Sequence, residues 1–384
     1  MTARAPSTRA PRAQSARPPS VSRGRGTDWV LVAAAGLLSL LGVLLVWSAT
    51  VRTSGGSLAL RQLVAVALGV AVALAIARLG RRRLRLLAPV AGALGLIGLV
   101  LVLTPLGSTI NGSRSWILLP GGLSVQPAEP AKLALVLVLA TVLARPPLTD
   151  GVPRDRQVLL ALGVCAVPLL LVLAQPDLGS AVVMAALALS VLTASAARAR
   201  WVLGLLALGA AAVVLALTTP VLDDYQRERL LAFADPDADP QGYGYQTRQV
   251  RIAIGSGGLL GQGLMSGAQT QGGYVPFDHT DFVLSVAGEE WGLAGTLLLL
   301  LLAGVVLART LLAAWRAPEP VDRLMAAGVA GWLGFQVFQN VGMNVGLVPV
   351  TGLPLPFVSY GGSSMVAVWA AVGLVLHVHA RSPR

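Results

Sequence analysis

Cysteine is almost absent from this 384-residue chain: Cys165 is the only one, and it lies within an apolar run. A single thiol excludes a disulfide framework and a cysteine metal site, and favours a small buried side chain. Charge is also scarce, because only 12% of the residues are Asp, Glu, Lys or Arg, about half of what a soluble domain carries. The mean hydropathy is +0.73, and several apolar runs reach the length of a membrane helix, about 18 residues. The sequence therefore predicts an all-α polytopic membrane protein rather than a soluble protein or a β-barrel.

Hydrophobic segments predict about ten transmembrane helices. They lie at about 29–48, 60–78, 86–104, 129–145, 157–174, 178–197, 201–219, 283–308, 322–343 and 361–379. Every second connection is rich in arginine, and this set, with the two termini, holds about 21 of the 29 basic residues. Because cytoplasmic segments carry the excess of Arg and Lys, both termini are predicted to be cytoplasmic. The long 220–282 loop between helices 7 and 8 is then extracytoplasmic, and the net charge of +12 needs no nucleic-acid partner.

The chain divides into a tail and one membrane domain. Residues 1–27 are rich in Arg, Pro, Ser and Ala without apolar periodicity, which predicts a disordered basic cytoplasmic tail. Residues 28–380 are predicted to form a single transmembrane domain that includes the 220–282 loop.

Unusual polar stretches fall at the predicted outer ends of the spans. They are NGSRSWILLPGGLSVQPAEPAK (111–132), QPDLGS (175–180), the 220–282 loop and GLVPVTGLPLPFVSYGGSS (346–364). Polar and ionisable groups at membrane depth are functional candidates, because burying them is costly unless they are paired. Four such stretches at one face predict a single extracytoplasmic site.

The only lysine of the chain, Lys132, stands three residues after Glu129 at a predicted helix start, so the two share a face. Asp177, at the outer end of another span, is the candidate for a second carboxylate beside the ammonium. One interpretation is a structural ion pair that locks helices together. The other is a charged floor to a substrate cavity, and the two are compatible.

The long loop has two predicted amphipathic helices, RERLLAF and YQTRQVRIAIGSG, that would lie on the membrane. Its glycine-rich GSGGLLGQG segment predicts either an anion nest or a flexible connector, and it lacks the Walker spacing. The loop arginines would anchor to headgroups or hold a pyrophosphate through bidentate hydrogen bonds. They are Arg227, Arg229, Arg248 and Arg251.

The segment DHTDFVLSVAGEE (278–290) contains five ionisable residues. With His377 and His379 at the inner end of the last span, and no GxSxG or HExxH motif, a hydrolytic triad is excluded. Asp281 is the best-placed acid–base residue, although Thr280 or Asp281 would equally serve as an N-cap for the next span. Asp278 and His279 are expected at the loop or rim, with His279 a second candidate. Glu289 and Glu290 must face protein or a cavity, in structural or gating roles.

Together these motifs resemble the SEDS family (shape, elongation, division and sporulation). The resemblance covers residues 28–380 and is carried by QPAEPAK, QPDLGS, FADPDADPQGYGYQTRQVRIAIGSGGLLGQG, HTDFVLSVAGEEWG and GLPLPFVSYGGSS, in that order. The GYGYQTRQVRIAIGSGG and GMNVGLVPVTGLPLPFVSYGGSS regions favour the elongation branch of the family over its division branch.

The resemblance implies ten transmembrane helices and peptidoglycan glycosyltransferase activity on lipid II in the bacterial inner membrane. The C4 hydroxyl of an acceptor N-acetylglucosamine would attack C1 of the donor N-acetylmuramic acid, and undecaprenyl pyrophosphate would leave with inversion. Arginines, or a divalent cation such as Mg²⁺ or Mn²⁺, would stabilise the leaving diphosphate. A class B penicillin-binding protein is the implied transpeptidase partner.

The same resemblance assigns roles to residues. Asp281 matches the essential loop aspartate, the general base. Glu129, Lys132 and Asp177 match a polar cavity cluster in which the lysine bridges the acids. The re-entrant SYGGSS segment supplies Ser359, Tyr360, Gly361, Gly362 and Ser363. Arg114 is a candidate phosphate contact, although it stands one position before the arginine that many relatives carry next to the tryptophan, here Trp116.

Two other functions fit the same pattern. A lipid II transporter would also carry intramembrane charges, but it needs polar motifs near both faces, whereas here they crowd the outer one. A non-catalytic scaffold of the cell-wall synthesis complex would leave Asp281, Glu129 and Lys132 without a purpose.

Overall fold

The computed structural model describes residues 26–382 except 111, 121, 146–151, 220–223 and 236–241. The predicted tail therefore lies almost entirely outside the described residues. Every one of the ten predicted spans coincides with helix. The first seven are α1 (Trp29–Ser54), α2 (Ser57–Arg78), α3 (Arg81–Leu103), α4 (Ala128–Leu143), α5 (Asp155–Leu173), α6 (Leu178–Ala194) and α7 (Ala199–Thr218). The long loop holds α8 (Asp224–Ala234), α9 (Tyr243–Ser256) and α10 (Ala268–Gln271), followed by α11 (Val283–Glu290), α12 (Gly292–Arg316), α13 (Pro320–Val345) and α14 (Gly362–Arg381).

The described helices confirm an all-α polytopic membrane protein. Seven of them are long and apolar enough to cross a membrane, and α6 is an apolar helix of shorter length. The two other predicted spans, α4 and α13, carry buried charges and amides that lower their apolarity. Helix α14 lies at the centre, where 72% of its most apolar stretch is buried, whereas α7 buries none of its most apolar stretch and lies at the outside of the bundle.

Glycines let α2 and α14 approach closely. A Cβ on Gly373 would lie 2.5 Å from the Ala73 carbonyl oxygen, and one on Gly69 would lie 2.9 Å from Trp369 Cβ. In the absence of a hydrophobic drive between membrane helices, such close packing of small residues is what holds them together.

The eighth predicted span is not one helix, and this prediction was wrong in that respect. The helix is interrupted between α11 and α12, at Gly292, which has a φ of +65°. The N–H groups of Leu293 and Ala294 donate to the carbonyls of Gly258 and Leu259 at 2.9 and 3.1 Å. These two N–H groups therefore stay hydrogen-bonded despite the break in the helix, because the glycine-rich segment supplies the acceptors that the helix does not.

A small sheet connects α3 to α4. Strands β1 (Gly107–Ile110), β2 (Ser113–Leu119) and β3 (Leu123–Val125) pair antiparallel in the order β1-β2-β3. Gly112 and Gly122 take the positive φ angles of +82° and +71° that the tight turns require. The prediction from the sequence does not include this sheet.

Polar groups mark the two ends of the bundle. At one end the first residue before α1, Asp28, pairs with Arg309, and Arg81 pairs with Asp322 at 2.8 and 2.6 Å. Arg381, at the end of α14, donates to the Leu79 carbonyl there. Both described chain ends therefore lie at the same end, and the sheet, α8–α10 and the 275–282 and 346–361 segments lie at the other.

Candidate active site

The loop that carries Asp281 is held through its backbone by two other segments. Tyr360 N donates to the His279 carbonyl at 2.9 Å, and Ser359 Oγ donates to the Thr280 carbonyl at 2.5 Å. Asn340 Nδ2, from α13, donates to the carbonyl of Asp281 itself at 2.9 Å. Three consecutive carbonyls are thus fixed from outside, which leaves the Asp281 carboxylate free of any role in holding the loop.

Neither Thr280 nor Asp281 caps the following helix. Helix α11 has Phe282 as its N-cap, with no side-chain cap hydrogen bond. Thr280 Oγ1 donates to the Phe277 carbonyl instead, at 3.2 Å. The N-cap interpretation of these two residues is therefore wrong.

The Asp281 carboxyl group lies among protein atoms but keeps a partly exposed surface. Burial raises the pKa of Asp281 to about 6, while the nearby charges of Arg229 and His279 act in the opposite direction. The Asp281 carboxylate and the Arg229 guanidinium both lie next to Gly352. A Cβ on Gly352 would lie 3.5 Å from Asp281 Oδ2 and 3.8 Å from Arg229 Nη1. A carboxylate with such a pKa is suited to accept a proton near neutral pH.

Asp278 and His279 form a pair at the edge of this loop. Asp278 Oδ1 accepts a hydrogen bond from His279 N at 2.7 Å and lies 3.0 Å from His279 Nδ1. The His279 ring lies 5.9 Å from the Tyr360 ring, centroid to centroid. Asp278 is buried and His279 is partly exposed.

The SYGGSS segment contacts two further elements. Gln62, fully buried in α2, donates to the Ser359 carbonyl at 2.8 Å and accepts from Gly361 N at 3.2 Å. Ser363 Oγ accepts from Gln126 N, just before α4, at 3.2 Å. The sequence motifs do not indicate Gln62 as a residue of this site. The feature that could have indicated it is an amide side chain within an otherwise apolar span.

Glu129 and Lys132 form a fully buried ion pair on α4, with 2.8 Å between Glu129 Oε1 and Lys132 Nζ. Lys132 Nζ also lies 3.4 Å from Gln336 Oε1 and 5.1 Å from the Trp332 ring centroid. The predicted bridge to Asp177 is not formed. Asp177 instead caps α6 through Ser180 N at 2.9 Å, where the helix dipole favours a carboxylate.

Three amides on α13, spaced four residues apart, connect the ion pair to the Asp281 loop. We call Gln336, Asn340 and Asn344 the amide row. Gln336 Nε2 donates to the Pro354 carbonyl and Asn340 Nδ2 to the Leu353 carbonyl, at 2.9 and 2.8 Å. Asn344 Nδ2 reaches the Asp281 carbonyl at 3.3 Å. The motifs do not indicate the row, although the four-residue spacing of amides in FQVFQNVGMNV is a visible signal.

The predicted pyrophosphate arginines are spread over the same end of the bundle. Arg114 donates to the Thr104 carbonyl at 2.7 Å, beside the sheet, and Arg227 to the Thr219 carbonyl at 3.2 Å. Arg248 and Arg251 are exposed on α9, and the Arg251 guanidinium lies over Gly346. Arg229, whose charge acts on Asp281, also lies 5.0 Å from the Tyr243 ring centroid.

The glycine-rich segment is neither an anion nest nor a flexible connector. Its Gln262 and Gly263 N–H groups donate to the carbonyls of Glu289 and Glu290 at 2.9 and 3.0 Å. A Cβ on Gly257 would lie 1.9 Å from the Gly288 carbonyl oxygen, so glycine is needed for this close approach. The segment is a structural support of the break between α11 and α12.

Glu289 and Glu290 face protein, as expected. Glu289 Oε2 accepts from Thr270 N at 2.9 Å and from Thr270 Oγ1 at 2.6 Å, at the start of α10. Glu290 Oε1 accepts from Ser48 Oγ of α1 at 2.6 Å. These contacts tie the long loop and α1 to α11.

No group of three or more His, Cys, Asp or Glu side chains converges as a metal site within the described residues. Magnesium, however, is commonly held by one or two carboxylates together with substrate phosphates. Asp281, a partly exposed carboxylate, fits that mode of binding.

These features define a polytopic membrane protein whose candidate acid–base residue, Asp281, lies at the end of the bundle opposite the described chain ends. The family model of FtsW, RodA and SpoVE, described as cell cycle proteins, matches residues 28–383, and the chain belongs to this family. Peptidoglycan glycosyltransferase MrdB of Escherichia coli K12 is 38% identical over 346 residues, which cover 89% of this chain and 91% of that protein.

Two solved structures share the fold. One is a chain from a study of how a peptidoglycan synthase complex coordinates polymerization and crosslinking, with 38% identity, a TM-score of 0.76 and coverage of 92% of this chain and 98% of that one. The other is the rod shape determining protein RodA of Thermus thermophilus, with 36% identity, a TM-score of 0.68 and coverage of 94% and 98%. The resemblance to the SEDS family is thereby confirmed.

Proposed function

We propose that the chain is a peptidoglycan glycosyltransferase that polymerises lipid II into glycan strands during cell elongation. The Escherichia coli relative carries that activity in its name, and the chain is similar to it over 89% of its length. The observation that carries the proposal is Asp281, whose pKa of about 6 suits a general base. Asn340 Nδ2 donates to the Asp281 carbonyl, and Ser359 Oγ donates to the carbonyl of the preceding residue, Thr280.

In the proposed step Asp281 accepts the proton of the C4 hydroxyl of the acceptor N-acetylglucosamine. The oxygen attacks C1 of the donor N-acetylmuramic acid and forms the glycosidic bond with inversion. The bond between C1 and the pyrophosphate oxygen breaks, and undecaprenyl pyrophosphate leaves with the electron pair. The proton on Asp281 then passes to water, which restores the base.

Charge on the leaving pyrophosphate needs cationic partners. Arg229 lies beside Asp281, and Arg248 and Arg251 are exposed on the neighbouring helix α9. Guanidinium groups bind phosphate oxygens through two parallel hydrogen bonds. Where a divalent cation, Mg²⁺ or Mn²⁺, takes part, Asp281 is the carboxylate that would help to hold it, and the cation would supply further positive charge to the leaving group.

The proposed orientation has both termini in the cytoplasm and Asp281 outside the bacterial cytoplasmic membrane. The arginine-rich connections at the end opposite Asp281 support this orientation. A class B penicillin-binding protein is the proposed partner. The similarity to a chain studied within a peptidoglycan synthase complex supports that pairing.

The test is polymerisation of lipid II by the purified chain together with its transpeptidase partner. The Asp281→Asn variant keeps the size of the side chain and removes the base, so the initial rate should fall by about 100-fold or more. The matched control is Glu228→Gln, which neutralises an exposed acid on α8 and should keep the wild-type rate.

Size-exclusion profiles of all three proteins should coincide. Normal glycan strands from Asp281→Asn would overturn the assignment of Asp281 as the base, whereas no strands from the wild-type chain would favour a transporter or a scaffold. Labelled lipid II in liposomes would then separate these two, since only the transporter moves it across the bilayer.

A further inference from the structure

An apolar groove of about 290 Å³ opens between α3, α4 and α5. Its position differs from that of the Asp281 loop, which contacts α13 and the SYGGSS segment. Small residues such as Gly92 keep the groove open. Its walls include Pro89, Ala93 and Leu96 of α3, Val138 of α4, and Val164 and Pro168 of α5.

The groove faces continue toward the bundle end that holds the chain termini, and they reach polar side chains there. Arg82 precedes Pro89 by seven residues on α3, and Arg145 follows Val138 by seven at the end of α4. Seven residues are about two helical turns, so Arg82 lies on the groove face of α3, about 10 Å beyond the groove. Arg145 is the second residue after the last residue of α4, Leu143, and so stands just past the same end of the groove. Both side chains are exposed.

The third wall continues in the same way. Gln157 precedes Val164 by seven residues on α5, and its Nε2 donates to the Arg145 carbonyl. This contact fixes the chain at the end of α4 against the start of α5. The cationic end of the groove is therefore held by a defined backbone contact.

Arg82 and Arg145 differ from Arg81 and Arg85, which are paired with acids. Arg81 is paired with Asp322 at 2.6 Å, and Arg85 approaches Glu319 at 3.5 Å. Among the described residues, no carboxylate lies within ion-pair distance of Arg82 or Arg145. Two unneutralised guanidinium groups next to an apolar groove complement one kind of ligand, a phosphate joined to a hydrocarbon chain.

We propose that this groove binds an anionic phospholipid of the adjoining leaflet, with one acyl chain along α3, α4 and α5 and its phosphate between Arg82 and Arg145. The acyl chain fills an apolar surface of matching character, and the guanidinium groups bind phosphate oxygens. A net negative headgroup gains over a zwitterionic one because no described acid offsets the two arginines. This site is separate from the proposed polymerase chemistry and does not depend on it.

The test is native mass spectrometry of the full chain in detergent with phosphatidylglycerol or phosphatidylcholine added. The wild-type chain should retain phosphatidylglycerol in preference, and Arg82→Ala/Arg145→Ala should reduce that preference about tenfold. The control Arg78→Ala/Arg83→Ala removes the same charge from two other exposed arginines of this end and should keep the preference. An unchanged preference in Arg82→Ala/Arg145→Ala, or an equal loss in the control, would overturn the proposal.

The acyl part of the site is tested separately, with the arginines intact. Ala93→Phe fills the groove from an exposed wall position, and Leu94→Phe changes the next residue, which does not line it. Ala93→Phe should lower phosphatidylglycerol retention severalfold while Leu94→Phe leaves it unchanged. Equal retention in the two variants would show that no acyl chain occupies the groove. This pair also decides the question if the double arginine variant does not fold.

Discussion

At the residue scale, the ionisation of Asp281 predicts the pH dependence of polymerisation. Burial raises the pKa of Asp281 to about 6, and a general base acts in its ionised form. The rate should therefore fall as pH falls through 6, and at pH 5 it should be about one-tenth of the rate at pH 7. Initial rates of lipid II polymerisation between pH 5 and 8 measure this fall in rate, the acid limb of the pH–rate profile.

Arg229 provides the control for that assignment. Its positive charge lowers the pKa of Asp281, against the effect of burial. Arg229→Gln keeps a hydrogen-bonding side chain and removes the charge, so the acid limb should move to higher pH. A limb that stays in place or moves to lower pH would show that Asp281 is not the group that titrates.

At the scale of elements, the amide row of α13 positions Asp281 through its backbone. Asn340→Ala removes a donor shared by the Asp281 and Leu353 carbonyls, 2.9 and 2.8 Å away. The Leu353 carbonyl then loses this donor, and the Asp281 carbonyl keeps only the longer bond from Asn344 Nδ2 at 3.3 Å. A buried carbonyl left without a donor costs about 1–3 kcal/mol. We expect the polymerisation rate of Asn340→Ala to fall about tenfold or more, because a small displacement of the base is costly to catalysis.

Gln339 on the same helix gives the matched comparison. Its Nε2 donates to the Pro349 carbonyl at 3.2 Å and not to a carbonyl of the Asp281 loop. Gln339→Ala should lower the stability of the protein, but it should reduce the polymerisation rate per folded molecule less than Asn340→Ala does. Equal rates in the two alanine variants would contradict a positioning role for Asn340.

The break between α11 and α12 depends on glycine at position 257. Gly257→Ala places a Cβ 1.9 Å from the Gly288 carbonyl oxygen, so the two backbones must separate. Overpacking of this kind costs about 1–3 kcal/mol and should lower the melting temperature by several degrees. Gly255→Ala, two residues earlier and with nothing within 4 Å, should leave the melting temperature unchanged or raise it slightly.

Melting curves in detergent from size-exclusion fluorescence compare the two alanine variants directly. If Gly257→Ala melts like Gly255→Ala, the close approach at the break is not needed for stability.

The helices could be predicted from the sequence, whereas the break and the sheet could not. A membrane helix is specified locally, by a run of apolar residues long enough to cross the hydrocarbon, and every predicted span is helical. The break at Gly292 depends on acceptors from Gly258 and Leu259, about 35 residues earlier, which no apolar window detects. The strands β1 and β3 have only four and three residues, too few for a period-two pattern.

The site shows the same division between local and distant information. The pairing of Glu129 with Lys132 follows from their three-residue spacing and is present. The further partner of Lys132 depends on how α13 packs against α4, and it is Gln336 rather than Asp177. The partners of the buried amides Gln62 and Asn340 could not be predicted for the same reason, since their acceptors lie in segments remote in sequence.

At the scale of the whole molecule, the two ends of the bundle are chemically different. One end holds Asp28, Arg81 and the arginine-rich connections, and the other holds Asp281 and the long loop. Because positively charged connections remain in the cytoplasm, the end with Asp281 should face outside. The proposed chemistry would then take place on the outer side of the membrane.

Cysteine labelling tests this orientation, because Cys165 is buried and can be replaced by alanine to give a background without thiols. Ser266→Cys places an exposed thiol at the Asp281 end, and Arg83→Cys places one at the opposite end. A membrane-impermeant maleimide should label Ser266→Cys on intact spheroplasts, and Arg83→Cys only after permeabilisation. The cysteine-free parent should stay unlabelled in both conditions. The reverse pattern would place Asp281 in the cytoplasm, where a polymerase of external glycan strands has no use for it.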